Sequence, residues 1–482
     1  YNSGSSPTLT NVTISGNQTR TGGALYNESS SNPKLINTIL WGNAATASNP
    51  EIYTDNSSTP VISYSLIQGS GGSGGGWVAA LGSDGGNNLD VDPSFVAPLA
   101  ASSAPDSAGD YHLQATSPAI DVGSSAANAE TYDLDRFVPR LQGAAIDLGA
   151  YEAPLTCPAG GVLYVKQGGA GAQNGKSWAN AFAYLQNALQ VTTPCEIWVA
   201  KGVYYPDEGN GKIKYNRNAY FSLNRGTALY GGFVGTESSR NQRDWQSNVT
   251  VLSGDLQQND TGKDANGVVT SDPSTNLKGT NAERVVWLSE ADATVQLDGF
   301  TITAAREYGL YIQSSAATLN NLIVSGNLGV GLANSDEFKN ARTLLLSNVT
   351  FVNNFGIGIG VRGGGLYNTG SLTLSNATFQ NNQATSSGGG LYNKGSLTLS
   401  NATFQNNQAT GSGGGLYSSG GLTVTGALTF TNNQAKVNGG GLYLANSSPV
   451  LNNVVINDNQ ANDWGGGIYL ENSNPTLTAV TV

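Results

Sequence analysis

The chain has 482 residues, 64 of them glycine, and only 11% are charged, less than half the usual share. Its net charge of −11 argues against nucleic acid and anionic membrane surfaces as partners, and no run of about 18 apolar residues predicts a membrane-inserted helix. With 38% hydrophobic residues, a core is attainable provided each folding unit is small and repeated. Methionine is absent and no leader peptide opens at Tyr1, which reads as a processed product or an internal window of something longer.

In chain order, residues 1–68 carry short strand-like runs. Tyr1, Tyr26 and Tyr53 recur at a nearly constant spacing, and Tyr26 closes the run Gly22-Gly23-Ala24-Leu25-Tyr26. This recurrence predicts the last coils of a solenoid. The Gly/Ser-rich residues 69–76 read as a flexible stretch.

A loop and a small β-rich module are expected over 69–154. The landmarks are Asn88-Leu89-Asp90-Val91-Asp92-Pro93, Gly109-Asp110-Tyr111-His112-Leu113, Ser117-Pro118-Ala119-Ile120-Asp121, Asp133-Leu134-Asp135-Arg136 and Ile146-Asp147-Leu148-Gly149-Ala150-Tyr151-Glu152. This succession resembles the choice-of-anchor Q module that closes many large secreted bacterial β-helix proteins. The resemblance implies an extracellular, cell-surface location and names no reaction. It departs at Arg136-Phe137, where the family usually has Gly-Asn and a tight turn. Asp121, Asp133, Asp135, Asp147 and Glu152, with Arg136 and Arg140, form an acidic set. It reads either as oxygen ligands for Ca²⁺ or as turn formers and ion pairs, and no other cofactor is expected. His112 stands alone and reads as structural. Two cysteines and one histidine do not make a Zn²⁺ shell.

Residues 155–283 read as the N-terminal cap region of a further β-helix. Cys157 and Cys195 each precede an apolar run, Val162–Val165 and Ile197–Ala200. If those runs are neighbouring strands, the thiols meet in a disulfide; the alternative is two buried free thiols. Ser177 suits an N-cap, and Trp178, Phe182, Leu185 and Leu189 would share one face of a helix over about 177–190. Such a helix would plug the open end of the solenoid. Ile197–Tyr205, Ala228–Phe233 and Arg243-Asp244-Trp245 resemble the start of the same large modules.

Coils resume over 284–482. Gly-Gly-Gly-Leu-Tyr places Tyr367, Tyr392, Tyr417 and Tyr443, with Ile-Tyr at Tyr469, at spacings of 25, 25, 26 and 26. Residues 371–385 and 396–410 are identical. Leu372–Phe379 reads as alternating with period two, as in a half-buried strand. One such unit has no face to pack on, but stacked copies bury a continuous core. The prediction is an all-β, right-handed parallel β-helix with ~25-residue coils rising about 4.8 Å each, one capping helix and a small β-rich module.

Phe379 would stack on Phe404, and Leu372 and Leu374 on Leu397 and Leu399. Asn354, Asn382, Asn407 and Asn433 share a phase with Asn327, Asn43 and Asn17. They read as an amide ladder that also takes up left-handed backbone. The tyrosine column at 367, 392, 417, 443 and 469 reads as a packed ladder, with stacking on sugar rings as the alternative. Gly-Gly-Gly-Leu-Tyr followed by Phe-Gln-Asn-Asn resembles the repeats of bacterial polymorphic outer-membrane proteins and related β-helical surface proteins. That resemblance is informative about fold and says little about function.

Residues 469–482 (YLENSNPTLTAVTV) and 1–14 (YNSGSSPTLTNVTI) share a phase at an offset of 468. They suggest tandem modules or subunits that join head to tail. An enzyme of this shape needs paired carboxylates or a metal with a base. Asp255, Asp260, Asp264 and Asp298 are the candidates, and no basic partner is expected to recur on the same face. No catalytic residues are therefore expected. The sequence reads as a surface fibre or filament whose main partner is itself. The alternatives are a carbohydrate-binding adhesin, with glycan contacts on the tyrosine column or on loops near 69–86 and 206–218, and a polysaccharide lyase or hydrolase. Ten Asn-X-Ser/Thr sequons, among them Asn11, Asn56, Asn348, Asn376 and Asn401, reflect Asn/Thr-rich composition or surface glycosylation.

Overall fold

The computed structural model describes residues 1–48, 51–135, 140–141, 143–336, 342–358 and 360–481. Two compact units divide the chain, Tyr1–Thr156 and Cys157–Val482.

In the second unit every coil places its strands beside the same strands of the next coil. The longest ladder begins at Val162–Val165 and continues through Cys195–Ala200 and Thr227–Phe233 to Ser371–Gln380, Ser396–Gln405 and finally Thr476–Thr481, all parallel. Parallel pairing thus starts well before residue 284. A second ladder runs from Arg284–Ser289 to Ile468–Glu471, and a short third one joins Phe355–Gly356, Gln383–Ala384, Gln408–Ala409, Gln434–Ala435 and Gln460–Ala461.

The register is residue on equivalent residue: Leu372 on Leu397, Leu374 on Leu399, Phe379 on Phe404. All six are buried, and the rings of Phe379 and Phe404 stack at 4.7 Å. The alternation over Leu372–Phe379 is broken, however. Leu372 and Leu374 point inward, then Asn376 takes φ +52°, and Ala377 and Phe379 point inward again. Two successive outward residues, Ser375 and Asn376, turn one long strand around a corner. A strict period of two would have sent Phe379 into solvent.

Asn382 shows what the buried asparagines do. Its Oδ1 accepts the backbone N–H and the Nδ2 of Asn354 at 3.1 and 2.9 Å. Its Nδ2 donates to Asn407 Oδ1 at 3.0 Å and to the Phe351 carbonyl at 2.9 Å. Asn407 and Asn433 repeat the pattern. These residues do not supply the left-handed backbone. The preceding Asn353, Asn381, Asn406 and Asn432 do so, at φ of 55–56°. The Asn-Asn pair divides the labour: the first turns the chain, the second bonds along the axis. Within Gly388-Gly389-Gly390, only Gly388 has positive φ, +73°. A Cβ on Gly389 would lie 2.4 Å from the Gln408 carbonyl oxygen, so that glycine is required by the close approach of the next coil.

The helix expected over 177–190 is absent. Trp178–Asn180 is a single 3₁₀ turn and Leu185–Ala188 a single α turn. Between them the chain is extended: Phe182 N–H donates to the Tyr164 carbonyl at 2.9 Å, and Lys166 N–H to the Phe182 carbonyl at 2.9 Å. Pairing with the outer edge of Val162–Val165 satisfied more backbone than a helix at that edge would have done. Trp178 leaves the shared face, its ring 4.8 Å from Tyr164, while Phe182, Leu185 and Leu189 are buried. Cys157 and Cys195 form a disulfide, with Cα atoms 5.4 Å apart.

The first unit has three coils, linked by Asn2–Ser3 with Leu25–Glu28 and Ile52–Thr54, by Thr8–Thr10 with Lys34–Ile36 and Val61–Ser63, and by Thr13–Ser15 with Ile39–Trp41 and Leu66–Ile67. Residues after 92 fold back on these coils. Phe95, Leu113, Ala119 and Leu148 pack with Ile39 and Leu66. Phe95–Ala97 and Asp110–Leu113 make one antiparallel pair.

Replacing Asn407 by Ala removes the acceptor of the Asn382 N–H and one acceptor of its Nδ2, and takes the Nδ2 donor from the Phe379 carbonyl and from Asn433 Oδ1. A loss of about 3 kcal/mol in local stability is expected, read as hydrogen exchange over 354–433. Thr398→Ala, on the outward face of the same strand, should cost less than about 1 kcal/mol. A Cys157→Ser/Cys195→Ser variant should lose about 4 kcal/mol in the chain-entropy account of a crosslink with a sequence separation of 38, measured by denaturant unfolding of the Trp178/Trp198 region.

Candidate functional site

Carboxylates and aromatic columns are the chemistry this chain has to offer, and the structure disposes of them differently. Asp255 is buried, and its Oδ1 accepts from Asn259 N–H at 3.0 Å. Its Oδ2 accepts from Asp260 N–H at 3.1 Å and Lys263 Nζ at 2.8 Å. Asp260 accepts from Lys278 N–H at 2.6 Å and Asn281 Nδ2 at 2.7 Å, and burial pushes its carboxyl up to about 6. Asp264 caps its own turn through Asn266 and Val268. Asp298 meets Arg243 at 2.8 Å. The expectation that these acids lack basic neighbours is therefore overturned: Lys263 follows closely on Asp255 in the same loop, and Arg243 reaches Asp298 across the ladder. Each acid is spent on a loop or an ion pair.

The acidic set of the first unit is divided as well. Asp147 Oδ1 accepts from Asp121 N–H at 2.8 Å, and its Oδ2 from Ala153 N–H at 2.7 Å. Asp133 accepts from Asp135 and Glu152 N–H. Asp121 accepts from Ala144 N–H at 2.9 Å. Arg140 is buried, and its Nη1 lies 3.4 Å from Glu152. Burial pushes Asp147 up to about 7 and Glu152 up to about 10. The oxygens of Asp121, Asp133, Asp147 and Glu152 are thus engaged by backbone N–H groups, while Asp135 lies against His112. Among the described residues no group of three or more His, Cys, Asp or Glu could hold a metal ion. Arg136 and Phe137 lie outside the described residues.

His112 is not alone. Its Nδ1 lies 2.6 Å from Asp110 and its Nε2 2.8 Å from Asp135, and its ring is 4.0 Å from Tyr151. Burial lowers its pKa, but the hydrogen bonds that its ring makes to the Asp135 and Asp110 carboxylates outweigh this and raise it overall. Asp110 stands two residues before His112 and was in view in the sequence; Asp135, 23 residues further on, left no local signal.

The tyrosines form a continuous stack. Ring centroids are 5.6, 4.8, 4.6 and 5.0 Å apart from Tyr367 through Tyr392, Tyr417 and Tyr443 to Tyr469. Tyr1, Tyr26 and Tyr53 stack likewise at 5.3 and 4.4 Å. Ring faces covered by the next ring are not available to a sugar, so this column offers no stacking platform. The sequon residues Asn348, Asn376 and Asn401 hydrogen-bond to one another along the surface at 3.1 and 3.2 Å.

Two features escaped the sequence reading. A second buried amide ladder links Asn334, Asn368 and Asn393, ending on Ser418 Oγ; the repeated Leu-Tyr-Asn was its signal. In the first unit, Asn17 Nδ2 donates to Asn43, and Asn43 Nδ2 donates to Glu51 at 2.7 Å. Glu51 ends that ladder and is buried, which pushes its carboxyl up to about 7.

Residues 284–482 match the family described as right handed beta helix region. The fold is the right-handed parallel β-helix. No curated protein matches the chain. Among solved structures, the crystal structure of pectate lyase Pel9A is similar at a TM-score of 0.38 and 12% identity, over 67% of this chain and 79% of that one. The chain is thus a β-helix repeat protein, and no helix among its described residues is long and apolar enough to cross a membrane.

Glu51, Asp147, Glu152 and His112 all have raised pKa values in the folded first unit. A raised folded pKa contributes stability that is complete below the unfolded value and is lost as pH rises through the folded value. The melting transition of residues 1–156 should therefore fall as pH goes from about 5 to about 9, and Glu51→Gln should flatten the part near neutrality. Calorimetry of the intact chain across that range checks both.

Proposed function

We propose that this chain is a non-enzymatic structural element of an extracellular surface: a β-helical stalk or filament in which copies follow one another along the coil axis. They do so either as tandem modules of one chain or as subunits joined head to tail. One observation carries the reading. Thr476–Thr481, within Pro-Thr-Leu-Thr-Ala-Val-Thr, pairs with the preceding coil at Val450–Val455. Thr8–Thr10 and Thr13–Ser15, within Pro-Thr-Leu-Thr-Asn-Val-Thr-Ile-Ser, pair with the following coil at Lys34–Ile36 and Ile39–Trp41. Nearly the same coil sequence thus accepts a neighbour on one side in one place and on the other side in the other. A coil with two usable faces is what an unbroken stack requires.

Further support comes from how the acids are used. The Asp255, Asp260 and Asp298 carboxyls are tied to Lys263, Asn281 and Arg243, as in a scaffold. The likeness of the Gly-Gly-Gly-Leu-Tyr coils to polymorphic outer-membrane protein repeats, and of residues 87–152 to the choice-of-anchor Q module, favours a secreted bacterial location.

Electron microscopy of the purified chain should show rods longer than one molecule that lengthen with concentration. Leu477→Asp, placed on the outer coil, should shorten them to single molecules. Rods of one fixed, single-chain length at every concentration would leave head-to-tail joining without support.

A further inference from the structure

The third ladder of the second unit has an outward face unlike the others. Gln383, Gln408, Gln434 and Gln460 stand directly above one another, half-buried at Gln383 and exposed at the other three. The intervening Ala384, Ala409 and Ala435 point into the core. Two residues after each glutamine the chain again points outward, at Thr385, Thr410, Lys436 and Asn462. The two columns are separated by about 6.6 Å, the advance of two strand residues, and border an open groove of about 380 Å³.

The contrast with the neighbouring column is informative. Asn382, Asn407 and Asn433, each one residue earlier, bond to one another inside. The four glutamine side-chain amides outside have no hydrogen-bond partner among the described residues. The groove therefore presents a row of free donors and acceptors, one per coil, at the ~4.8 Å coil spacing.

We propose that this face binds a neutral, linear polysaccharide lying along the coil axis. Each amide offers both a donor and an acceptor, which matches a sugar hydroxyl. The coil rise is comparable with the length of one extended pyranose unit, so consecutive glutamines meet consecutive rings. The lining holds one charge, Lys436, and no carboxylate, which favours an uncharged chain over a polyanion. An extended peptide has no backbone edge to pair with, because the strand amides here already serve the coil ladder. The tyrosine column, with its ring faces covered, does not compete for this role. This binding is independent of end-to-end stacking.

The test is isothermal titration of the intact chain with neutral β-glucan, β-mannan and α-glucan oligosaccharides, from disaccharide to hexasaccharide, and with oligogalacturonate as the charged counterpart. The expected result is binding of at least one neutral series, tightening with length up to the tetrasaccharide. Gln408→Ala/Gln434→Ala should weaken it at least about tenfold, as for two lost hydrogen bonds, with the melting temperature unchanged. Lys436→Glu should leave it intact. Absence of binding by every neutral series at millimolar concentration overturns the proposal. So does affinity for oligogalacturonate alone, or equal affinity of the double variant. Thr398→Ala, on a different outward face, serves as the folded control.

Discussion

A buried amide in this solenoid is satisfied mainly by its counterpart one coil away. That single constraint orders much else. Asn382 meets Asn407 only if the two coils place them at the same height and angle, so the intervening path must return to the same point once in every period. Phe379, Leu372 and Leu374 then fall on their equivalents, and the core becomes a set of columns. The glycines follow from the same demand, since Gly389 must pass close to the carbonyl of the next coil. The stacked tyrosines are one more column produced by it.

Where the coils lose their regularity, charge enters. In the first unit the ladder from Asn17 and Asn43 finds no further asparagine and ends on Glu51. The fold-back after residue 92 then buries Arg140 with Asp147 and Glu152. Both solutions place ionisable groups out of water, with pKa values shifted by desolvation. The regular coils of the second unit hold their buried polar groups as neutral amides, whose bonding does not change with pH.

The coils from Tyr367 onward were legible in the sequence because equivalent residues recur every 25 or 26 positions and their apolar residues keep a fixed phase. The same reasoning identified the asparagine and phenylalanine columns. It assigned the turn to the wrong member of the Asn-Asn pair, since both residues recur with one period and only geometry separates them. Coils between 162 and 283 were missed because long excursions separate their strands: Leu229 pairs with Leu297, between two and three regular coils further along the chain. Trp178, Phe182, Leu185 and Leu189 have helical spacing, yet an unpaired strand edge nearby outweighed it. The partners of His112 and Asp255 depend on loop closure. The glutamine face was in view as part of a repeat, but which of two adjacent amides faces water is set by the corner at Asn381.

Residues 371–385 and 396–410 are interchangeable, and each column runs through both. Removing one period would bring Asn382 against Asn433 and Phe379 against Phe430, leaving every column continuous. Adding a period would do the same in reverse. Recombination between such equivalent stretches therefore adds or removes whole coils without opening a gap in the core of these residues. The number of coils becomes a heritable quantity that varies in steps, set apart from the requirements of folding.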